Sequence, residues 1–569
     1  MNIFQYLSTY KKEAFLAPFF KLLEASFELV VPLVIAQIVD VGIAGNDVGY
    51  VVKMCLVLLA FGVVGLAFSI TAQYFSAKAA VGFSVKLRRE LFRKVQSFSY
   101  TELDTVGTGT IINRMTTDVN QVQSGVNLFL RLLLRSPFIV AGAMILAFVV
   151  DPGEAVIFTV AIPLLCVAVF AIMLASIPLY KKVQGRLDGV LNRTKDNLTG
   201  VRVLRAFRKE RSEVEAFDGE NEALMKMQLF VGRISALLNP LTYVIVNLAI
   251  VALIYFGAIR VEAGLLTQGG ILALYNYMSQ ILVELVKFAN MIISVAKALA
   301  SKKRIEAIMN MQPSLERTED DERREEDFIV FDDVSLTYKD AGGESVKHVS
   351  FTAKKGETIG IIGGTGSGKS SLVNLIPHFY DATHGMVRIG GKDVKSYAPE
   401  ELRERIGVVP QKAVLFLGTI RENLLWGKGD ATEEELREAL RRAQASDVVA
   451  SKEKGLDEPV SQGGKNFSGG QRQRLTIARA LVGDPEILIL DDSASALDYA
   501  TEAKLRAALK ELPCTKFIVS QRTGSIRHAD KIIVLSDGEM VGLGTHEELL
   551  ASCEVYREIY ESQYKKEAV

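Results

Sequence analysis

The stretch GGTGSGKS, Gly363 to Ser370, decides the fold of the second half of the chain. It fits the pattern GxxxxGK[ST], follows the apolar run TIGII that is typical of a strand, and precedes the helical pattern SSLVNLI. Such glycines let backbone N–H groups surround phosphates, while the lysine reaches the β- and γ-phosphates and the serine binds Mg²⁺. The sequence therefore predicts an ATP and Mg²⁺ site on a strand–loop–helix unit. The predicted phosphate-binding residues are Gly363, Gly364, Thr365, Gly366, Ser367, Gly368, Lys369, Ser370 and Ser371.

A second apolar run supplies the carboxylates. Residues 487–490, ILIL, predict a buried strand that ends in Asp491, where we expect a ligand of Mg²⁺ beside Ser370. Beyond residue 327 short β-rich runs alternate with helical patterns, which is typical of an α/β domain.

The first 300 residues have a different character. The chain has 569 residues, 49% of them hydrophobic, and a mean hydropathy of +0.22, mainly because of this half. A chain of this length exceeds a single core, so we expect two or more domains. Six apolar stretches are each long enough to cross about 30 Å of hydrocarbon as a helix. They lie at residues 16–39, 50–76, 126–150, 153–178, 234–259 and 269–298.

The predicted fold class is thus multidomain: a six-helix all-α transmembrane domain followed by an α/β P-loop nucleotide-binding domain. We place the transmembrane domain at residues 1–312, a charged linker at 313–327 and the nucleotide-binding domain at 328–569. The long connections 77–125 and 179–233 are basic, whereas the short ones carry acidic residues. The positive-inside rule therefore predicts a multi-pass cell-membrane protein with both termini, the long loops and the nucleotide-binding domain in the cytoplasm.

Several charges lie within the apolar stretches. They are Lys21, Glu24 and Glu28 in the first, Arg131 and Arg135 in the third, and Glu284 and Lys287 in the sixth. We favour helices that continue beyond the bilayer, with these charges paired or reaching the interface. A role in the translocation path stays open, above all for Arg131 and Arg135.

Composition excludes some classes of protein. Equal numbers of acidic and basic residues, 66 of each, argue against bulk nucleic-acid binding. The four scattered cysteines lack metal-ligand spacing and predict no disulfide framework, and the N-terminus shows no removable signal peptide.

The remaining motifs carry a family resemblance. Phe467-Ser468-Gly469-Gly470-Gln471 resembles the LSGGQ signature of ATP-binding-cassette (ABC) proteins. Gln411 resembles the Q-loop glutamine, a further ligand of Mg²⁺, while Tyr338 and Asp498 lie at the adenine-stacking and D-loop positions. Six membrane helices before one cassette resemble a half-transporter of the ABC exporter class, over essentially the whole chain.

The resemblance implies how such a chain works. In the family two cassettes pair head to tail, so each ATP lies between the P-loop of one chain and the signature of the other. The regions near Tyr100–Gly107 and Leu198–Phe207 resemble coupling helices, and the segment Asp457–Gly464 resembles the loop that contacts them. The sequence of these three segments is equally compatible with plain connecting segments that have no coupling role.

Two positions depart from the family pattern. Asp492 occupies the position of the glutamate that acts as general base, and Gln521 that of the switch histidine. With an intact signature, this resembles the degenerate-site subunit of bacterial heterodimeric multidrug exporters. The expected partner is a second half-transporter with a Walker-B glutamate, a switch histidine and an altered signature. An aspartate that still serves as base, in a homodimeric exporter, is the alternative.

The resemblance favours ATP-driven export of amphipathic small molecules such as drugs, with weak hydrolysis at this chain's own site. A lipid or peptide exporter is the near alternative. A nucleotide-gated channel or regulatory receptor belongs to a different class and would be expected to carry extensions that are not visible here. Six membrane spans exclude a soluble cassette ATPase.

Overall fold

The computed structural model describes residues 3–316, 318, 327–339 and 341–564. The chain divides into two compact units, Met1–Gln96 with Gly109–Met311, and Ser97–Thr108 with Gln312–Val569. The predicted linker lies largely outside the described residues, and the domain boundaries at 312 and 327 stay a prediction. Ser97–Thr108, which the sequence assigns to the N-terminal domain, groups with the second unit.

The first unit is helical. Two π-helical turns interrupt it at Ile38–Ile43 and Arg114–Asp118, and a 3₁₀ segment, Ile3–Tyr10, precedes its first helix. Numbered along the chain, its helices are α1 (Lys11–Gln37), α2 (Val48–Gln96), α4 (Thr108–Asn113), α5 (Val119–Leu132), α6 (Arg135–Val150), α7 (Pro152–Thr199), α8 (Val201–Ala206), α9 (Glu210–Ala236), α10 (Leu238–Glu262) and α11 (Gln268–Asn310); α3 (Tyr100–Val106) belongs to the second unit.

Five helical segments among the described residues are long and apolar enough to cross a membrane: Ile3–Ile43, Val48–Gln96, Thr108–Val150, Pro152–Thr199 and Glu210–Glu262. They contain the first five predicted spans. The sixth predicted span forms the 43-residue helix α11, which is outside this set and carries Glu284 and Lys287 within its apolar run. On α2, Val52, Leu56 and Leu59 are each more than half exposed, as lipid-facing side chains would be.

The core of the first unit joins α1, α6, α7, α10 and α11. Tyr277 of α11 is fully buried in it, and its hydroxyl donates a hydrogen bond to the carbonyl of Leu29 at 2.8 Å. Asp151 begins α7 by accepting from the Glu154 N–H at 2.8 Å, and it also pairs with Arg260 of α10 at 2.8 Å. One carboxylate therefore both caps a helix and joins it to a neighbour.

Six of the seven charges named within the apolar stretches form ion pairs among the described residues. Arg135 contacts Glu284 and Glu28 at 2.6 Å each, and Lys287 reaches Glu284 at 2.9 Å. In the first helix Lys21 contacts Glu24 at 2.5 Å. Arg131 differs, since its Nε is buried without a hydrogen-bond partner among the described residues. Pairing is what a charge needs in an apolar interior, so the favoured interpretation fits these contacts.

The second unit is built on a ten-stranded sheet with the strand order β5-β4-β1-β2-β12-β11-β3-β10-β9-β6, and β7 pairs separately with β8. The strands are β1 (Ile329–Leu336), β2 (Val346–Ala353), β3 (Thr358–Gly363), β4 (His384–Ile389), β5 (Lys392–Asp393), β6 (Ile406–Val409), β7 (Gly418–Thr419), β8 (Pro459–Val460), β9 (Ile487–Asp491), β10 (Thr515–Val519), β11 (Lys531–Ser536) and β12 (Glu539–Gly544). The helices are α12 (Lys369–Val373), α13 (Pro399–Glu404), α14 (Ile420–Leu424), α15 (Glu433–Arg442), α16 (Ser446–Ala450), α17 (Gly469–Leu481), α18 (Tyr499–Lys510), α19 (Thr523–Ile526), α20 (His546–Ser552) and α21 (Glu554–Tyr564).

Parallel pairing gathers the motifs at one edge of this sheet. β3, β10, β9 and β6 are parallel neighbours in that order. Their carboxyl ends meet at one edge, where ligands bind in open α/β sheets. Buried Ile361, Ile489 and Phe517 hold the strands against their flanking helices. The glycine-rich loop, the aspartates and the predicted Q-loop and switch residues thereby converge.

Helix α3 packs within the second unit. Ser99 and Glu102 form a reciprocal capping box at its start. Burial opposes ionisation of Glu102, but hydrogen bonds from Ser99 and Ser314 outweigh it and lower the pKa of this carboxyl. The Tyr100 ring lies 4.5 Å from that of Phe379, centroid to centroid. One predicted coupling region is therefore a capped helix in this unit.

The other predicted coupling region contains α8, which lies in the first unit. The segment Asp457–Gly464 lies in the second. Its predicted contact with the coupling helices stays a prediction.

Candidate nucleotide site

The glycine-rich loop forms a tight turn between β3 and α12. Lys369 folds back over the loop, and its Nζ donates to the carbonyls of Gly363 at 3.0 Å and Gly364 at 2.6 Å. Gly366 and Gly368 have φ values of 84° and 92°, a region that favours glycine. Burial lowers the pKa of the Lys369 amine, although Asp492 and Asp491 oppose this shift. The loop thus holds a cation beside a cradle of backbone groups, as phosphate binding requires.

A cavity of about 220 Å³ adjoins the loop. Its walls come from the ends of β3, β9, β10 and the segment after β6. The residues that line it are Ser345, Thr365, Gly366, Ser367, Gly368, Lys369, Ser370, Ser371, Gln411, Asp491, Asp492, Val519, Ser520 and Gln521. Apart from Gly363 and Gly364, the predicted P-loop residues are brought together there with the predicted metal, base and switch residues.

Two of the three predicted metal ligands are in contact. Ser370 Oγ donates to Asp491 Oδ1 at 3.0 Å. Burial raises the pKa of Asp491, and the neighbouring charge of Asp492 adds to this effect. Gln411, the third, lines the same cavity, where its side chain favours the ionised form of Asp492. A hydroxyl and a carboxylate side by side suit a hard divalent cation.

Asp492 follows β9 with a backbone unlike that of a strand. Its φ is 45°, its N–H donates to the Val519 carbonyl at 3.0 Å, and its own carbonyl accepts from Ser495 Oγ at 2.9 Å. Burial raises the pKa of its carboxyl, while the Gln411 side chain and the Lys369 charge counteract this. Positive φ is uncommon outside glycine, although aspartate tolerates it better than most residues.

Gln521 lines the same cavity, and its backbone contacts α21, the last described helix. Gln563 of α21 donates from Nε2 to the Gln521 carbonyl at 2.8 Å. Its Oε1 accepts from the N–H and the hydroxyl of Thr523, both at 2.9 Å. Sequence reasoning missed Gln563, because a glutamine 42 residues away in a polar helix gives no signal.

Tyr338 lies in a neighbouring cavity of about 540 Å³, together with Tyr380. Its hydroxyl donates to Ser371 Oγ at 2.9 Å, so it is tied to the phosphate side. Its ring meets that of Tyr380 edge-on at 5.0 Å, and burial raises the pKa of Tyr338. Tyr380 in turn donates to Asp104 of α3 at 2.7 Å. Aromatic and polar contacts therefore connect α12 to α3.

The predicted signature lies elsewhere. Of the described residues that line the 220 Å³ cavity, none belongs to Phe467–Gln471. Phe467 is buried in a hydrophobic cluster of the second unit that also contains Leu475 and Leu488. Ser468 and Gly469 are exposed, and Gly470 is partly exposed. Ser468 caps α17: its Oγ accepts from the Gln471 N–H at 3.3 Å, and its own N–H donates to Gln471 Oε1 at 3.0 Å.

Asp498, the predicted D-loop residue, is also an exposed cap. It begins α18 by accepting from the Thr501 N–H at 2.9 Å and from the Thr501 hydroxyl at 2.8 Å. These backbone and side-chain hydrogen bonds lower the pKa of Asp498.

Comparison with known proteins assigns the family. Residues 14–285 match the family described as the ABC transporter transmembrane region, and residues 346–495 match the family described as ABC transporter. The chain is 36% identical over 569 residues to the ABC transporter ATP-binding protein YfiB of Bacillus subtilis, covering 99% of this chain and 98% of YfiB. The chain belongs to the ABC transporter family. This ABC transporter is therefore a membrane protein that binds and hydrolyses ATP, as its sequence predicts.

Two further relatives have descriptive names. The chain is 32% identical over 490 residues to the ATP-dependent lipid A-core flippase of Syntrophus aciditrophicus, covering 85% of this transporter and 81% of the flippase. It is 32% identical over 530 residues to the probable multidrug resistance ABC transporter ATP-binding/permease protein YheH of Bacillus subtilis. The match covers 90% of this transporter and 77% of YheH.

The fold of this ABC transporter is that of an exporter. It matches the solved structure of a bacterial Atm1-family ABC exporter with ATP bound, with a TM-score of 0.83 and 22% identity over 98% of this chain and 100% of the other. The predicted fold class, a helical transmembrane domain followed by an α/β nucleotide-binding domain, is confirmed.

Proposed function

We propose that this chain is one subunit of a heterodimeric exporter that moves amphipathic small molecules, such as drugs, across a bacterial cell membrane. Its own P-loop site binds ATP and hydrolyses it poorly, and its signature completes the competent site of a different partner chain. One observation carries this proposal: the cavity beside Lys369 has Asp492 and Gln521 where a glutamate and a histidine would make a competent hydrolytic site.

We attribute the weak hydrolysis to the length of the side chain at position 492. A general base accepts a proton over about 2.6–3.2 Å, and aspartate is shorter than glutamate by one methylene. Asp492 is also engaged by the Gln411 side chain. Gln521 offers an amide that can hydrogen-bond a phosphate but cannot carry the charge of a histidine.

The role of the signature follows from its position. Ser468 and Gly469 are exposed and do not belong to the lining of this chain's own phosphate cavity. An exposed serine at a helix N-terminus, followed by two glycines, can approach the γ-phosphate of ATP bound to another chain. The partner is expected to carry a Walker-B glutamate, a switch histidine and an altered signature.

The donor set beside the P-loop fits Mg²⁺, which takes oxygen ligands and is commonly held by one or two carboxylates together with substrate phosphates. Ser370 and Asp491 would hold the ion together with Gln411, which lines the same cavity. When bound, the ion supplies charge neutralisation at the β- and γ-phosphates. The chain's own contribution is to keep Ser370 and Asp491 in contact and Lys369 over the loop.

The orientation is part of the proposal. Basic residues concentrate in the two long connections, so these connections, both termini and the nucleotide-binding domain lie in the cytoplasm.

A lipid substrate is the second candidate. The relative named as a lipid A-core flippase and the relative named as a multidrug resistance protein are each 32% identical to this chain, so identity does not separate them. Reconstituted complex in vesicles should accumulate an amphipathic fluorescent dye in an ATP-dependent manner. ATP-dependent flipping of a labelled lipid without dye accumulation would favour the lipid candidate.

Purification of the chain with and without its partner tests the assembly. The chain alone should bind ATP with little turnover, and the complex should hydrolyse ATP. Asp492→Asn should leave most of that turnover, whereas replacing the partner's Walker-B glutamate with glutamine should abolish it. Robust turnover by the chain alone would refute the degenerate site.

A matched pair of cap variants tests the signature. Ser468→Ala should lower turnover of the complex, because a hydroxyl that serves the partner's ATP is lost. Thr432→Ala removes the cap of α15, which has the same capping-box geometry with Glu435. Each change should destabilise the protein by about 0.5–2 kcal/mol. Equal turnover in the two variants would contradict the role of Ser468.

A further inference from the structure

Three strands of the second unit bring two histidines and an aspartate together outside the nucleotide site. Asp333 lies on β1, His348 on β2 and His384 on β4. His348 Nδ1 is 2.9 Å from Asp333 Oδ1, and His384 Nδ1 is 3.4 Å from Asp333 Oδ2. One ligand atom from each residue lies within 4.8 Å of the others. The chain has only five histidines, so the meeting of two with a shared carboxylate is informative.

The backbone is bent to make this arrangement. Asp333 and His348 have φ values of 51° and 47°, and the register of β1 against β2 and β4 shifts around Asp333. Bulges of this kind turn a side chain to a new direction. Residues held in this region tend to persist where surrounding contacts over-determine them, and they cluster at functional sites.

Two serines fix the bulges reciprocally. The Asp333 N–H donates to Ser350 Oγ on β2, and the His348 N–H donates to Ser335 Oγ on β1, both at 2.9 Å. Ser335 is fully buried, so its hydroxyl is anchored in the sheet. The strand that carries His384 is fixed in turn by Thr383, whose N–H donates to the Ser335 carbonyl at 2.8 Å. The three side chains therefore stand on a rigid scaffold.

Gly385 permits the close approach of β4. Its φ is 73°, and a Cβ at this position would collide with the backbone carbonyls of Asp332 and Asp333. Only glycine combines that φ with that proximity. The position of His384 beside Asp333 thus depends on the residue that follows it.

We propose that Asp333, His348 and His384 form a surface site for a transition-metal ion, with Zn²⁺ as its expected occupant. Zn²⁺ bonds of about 2.0–2.2 Å in a tetrahedron separate the ligand atoms by about 3.3–3.6 Å. The distance of 3.4 Å from His384 to Asp333 falls within that range, whereas the 2.9 Å from His348 is a hydrogen-bond distance that would lengthen as the ion enters. Three protein ligands leave a fourth position for water.

The chemistry of the donors separates this site from the nucleotide site. Imidazole suits Zn²⁺, Cu²⁺ and Ni²⁺, whereas Mg²⁺ prefers oxygen ligands such as those of Ser370 and Asp491. All three side chains are half or more exposed, so small rotations can complete the geometry and an ion can enter from solvent. The adjacent cation Lys347 is paired with Glu539 at 3.4 Å, which limits its repulsion of an incoming ion.

Calorimetric titration of the full-length chain with Zn²⁺ tests the proposal. The protein is purified without a histidine tag, stripped with a chelator and kept in excess Mg²⁺, so that oxygen sites are occupied. The wild type should bind one Zn²⁺ that the double variant His348→Asn/His384→Asn does not bind. Asparagine is chosen at position 348 because it tolerates positive φ. His528→Asn, which changes an exposed histidine of the same unit, should bind like the wild type.

A charge-only variant supports the same test. Asp333→Asn keeps a side chain that tolerates the bulge but removes the anionic ligand, and it should weaken Zn²⁺ binding at least about tenfold. Unfolding midpoints of all variants measured in chelator should match the wild type, which shows that the fold is kept. Absence of Zn²⁺ binding by the wild type, or unchanged binding by the double variant, would overturn the proposal.

Discussion

Asp492→Glu offers the most direct test of the degenerate site. The substitution adds one methylene, about 1.5 Å of reach, at the end of β9. Asp492 already faces the cavity that contains Lys369 and Gln521, so the longer carboxylate would extend toward the phosphates. The added length brings it to where a water attacking the γ-phosphate could be deprotonated.

The expected gain can be bounded. A well-placed general base contributes about 10²–10⁴ in rate, which is about 2.7–5.4 kcal/mol at 1.36 kcal/mol per decade. The φ of 45° at this position suits aspartate better than glutamate. Glutamate in that region costs about 1–2 kcal/mol, and the same strain will keep part of the population from the productive geometry. We therefore expect the lower part of the range, about 10²-fold.

The assay is ATP turnover by the chain alone in lipid nanodiscs at saturating Mg²⁺ and ATP. Asp492→Asn is the matched control: it keeps size and tolerance of positive φ while removing any base, and it should turn over like the wild type. Lys369→Ala, which loses the cation of the P-loop, sets the background. A hundredfold loss in Asp492→Asn would refute the reasoning, since it would make the aspartate the working base.

Three further outcomes are expected. Arg135→Met should destabilise the first unit, but by less than the about 3–5 kcal/mol expected for an unpaired buried charge, because Glu284 loses Arg135 at 2.6 Å and keeps Lys287 at 2.9 Å; the double change with Glu284→Gln should recover part of the loss in thermal unfolding. Asp491→Asn should raise the unfolding midpoint of the nucleotide-free protein at neutral pH. Burial raises the pKa of Asp491 in the folded protein, so the wild type loses stability as pH rises through that pKa. The advantage of the variant should vanish below about pH 4, where the wild-type carboxyl is protonated in both the folded and the unfolded state. Tyr380→Phe should remove the hydrogen bond to Asp104, costing about 0.5–1.5 kcal/mol in unfolding free energy, with little change in ATP affinity by equilibrium binding.

The sequence allowed us to predict that the glycine-rich loop and Asp491 lie close together, because each follows an apolar run that forms a strand. A strand that ends in Gly363 and another that ends in Asp491 must, in a parallel sheet, present those ends at the same edge. The contact between Ser370 and Asp491 is a consequence of that rule. The influence of Gln411 on the pKa of Asp492 was not predictable, since a side chain in a shared cavity can face any of several neighbours.

Other features lie beyond sequence patterns for physical reasons. Helix α3 continues directly from the long apolar helix α2 in the chain, but the packing of Tyr100 on Phe379 decides that it groups with the second unit. The cluster of Asp333 with His348 and His384 joins residues 15 and 51 positions apart through bulges that leave no periodic trace. The sixth predicted span forms helix α11, yet it is not among the five described segments that are long and apolar enough to cross a membrane.

The proposed heterodimer requires that this chain's own ATP site and its signature can change independently of each other. Asp492 belongs to the end of β9, whereas Ser468 belongs to the start of α17. Ser468 is held by its own helix, because its Oγ accepts from the Gln471 N–H at 3.3 Å. A hydroxyl has one donor and two acceptor sites, so capping uses an acceptor and leaves the O–H able to donate to a phosphate. Shortening the carboxylate at position 492 therefore does not disturb the signature. A chain with this pair of features can lose hydrolysis at its own ATP and still serve the ATP of another chain, which is the condition for a heterodimer with one competent site.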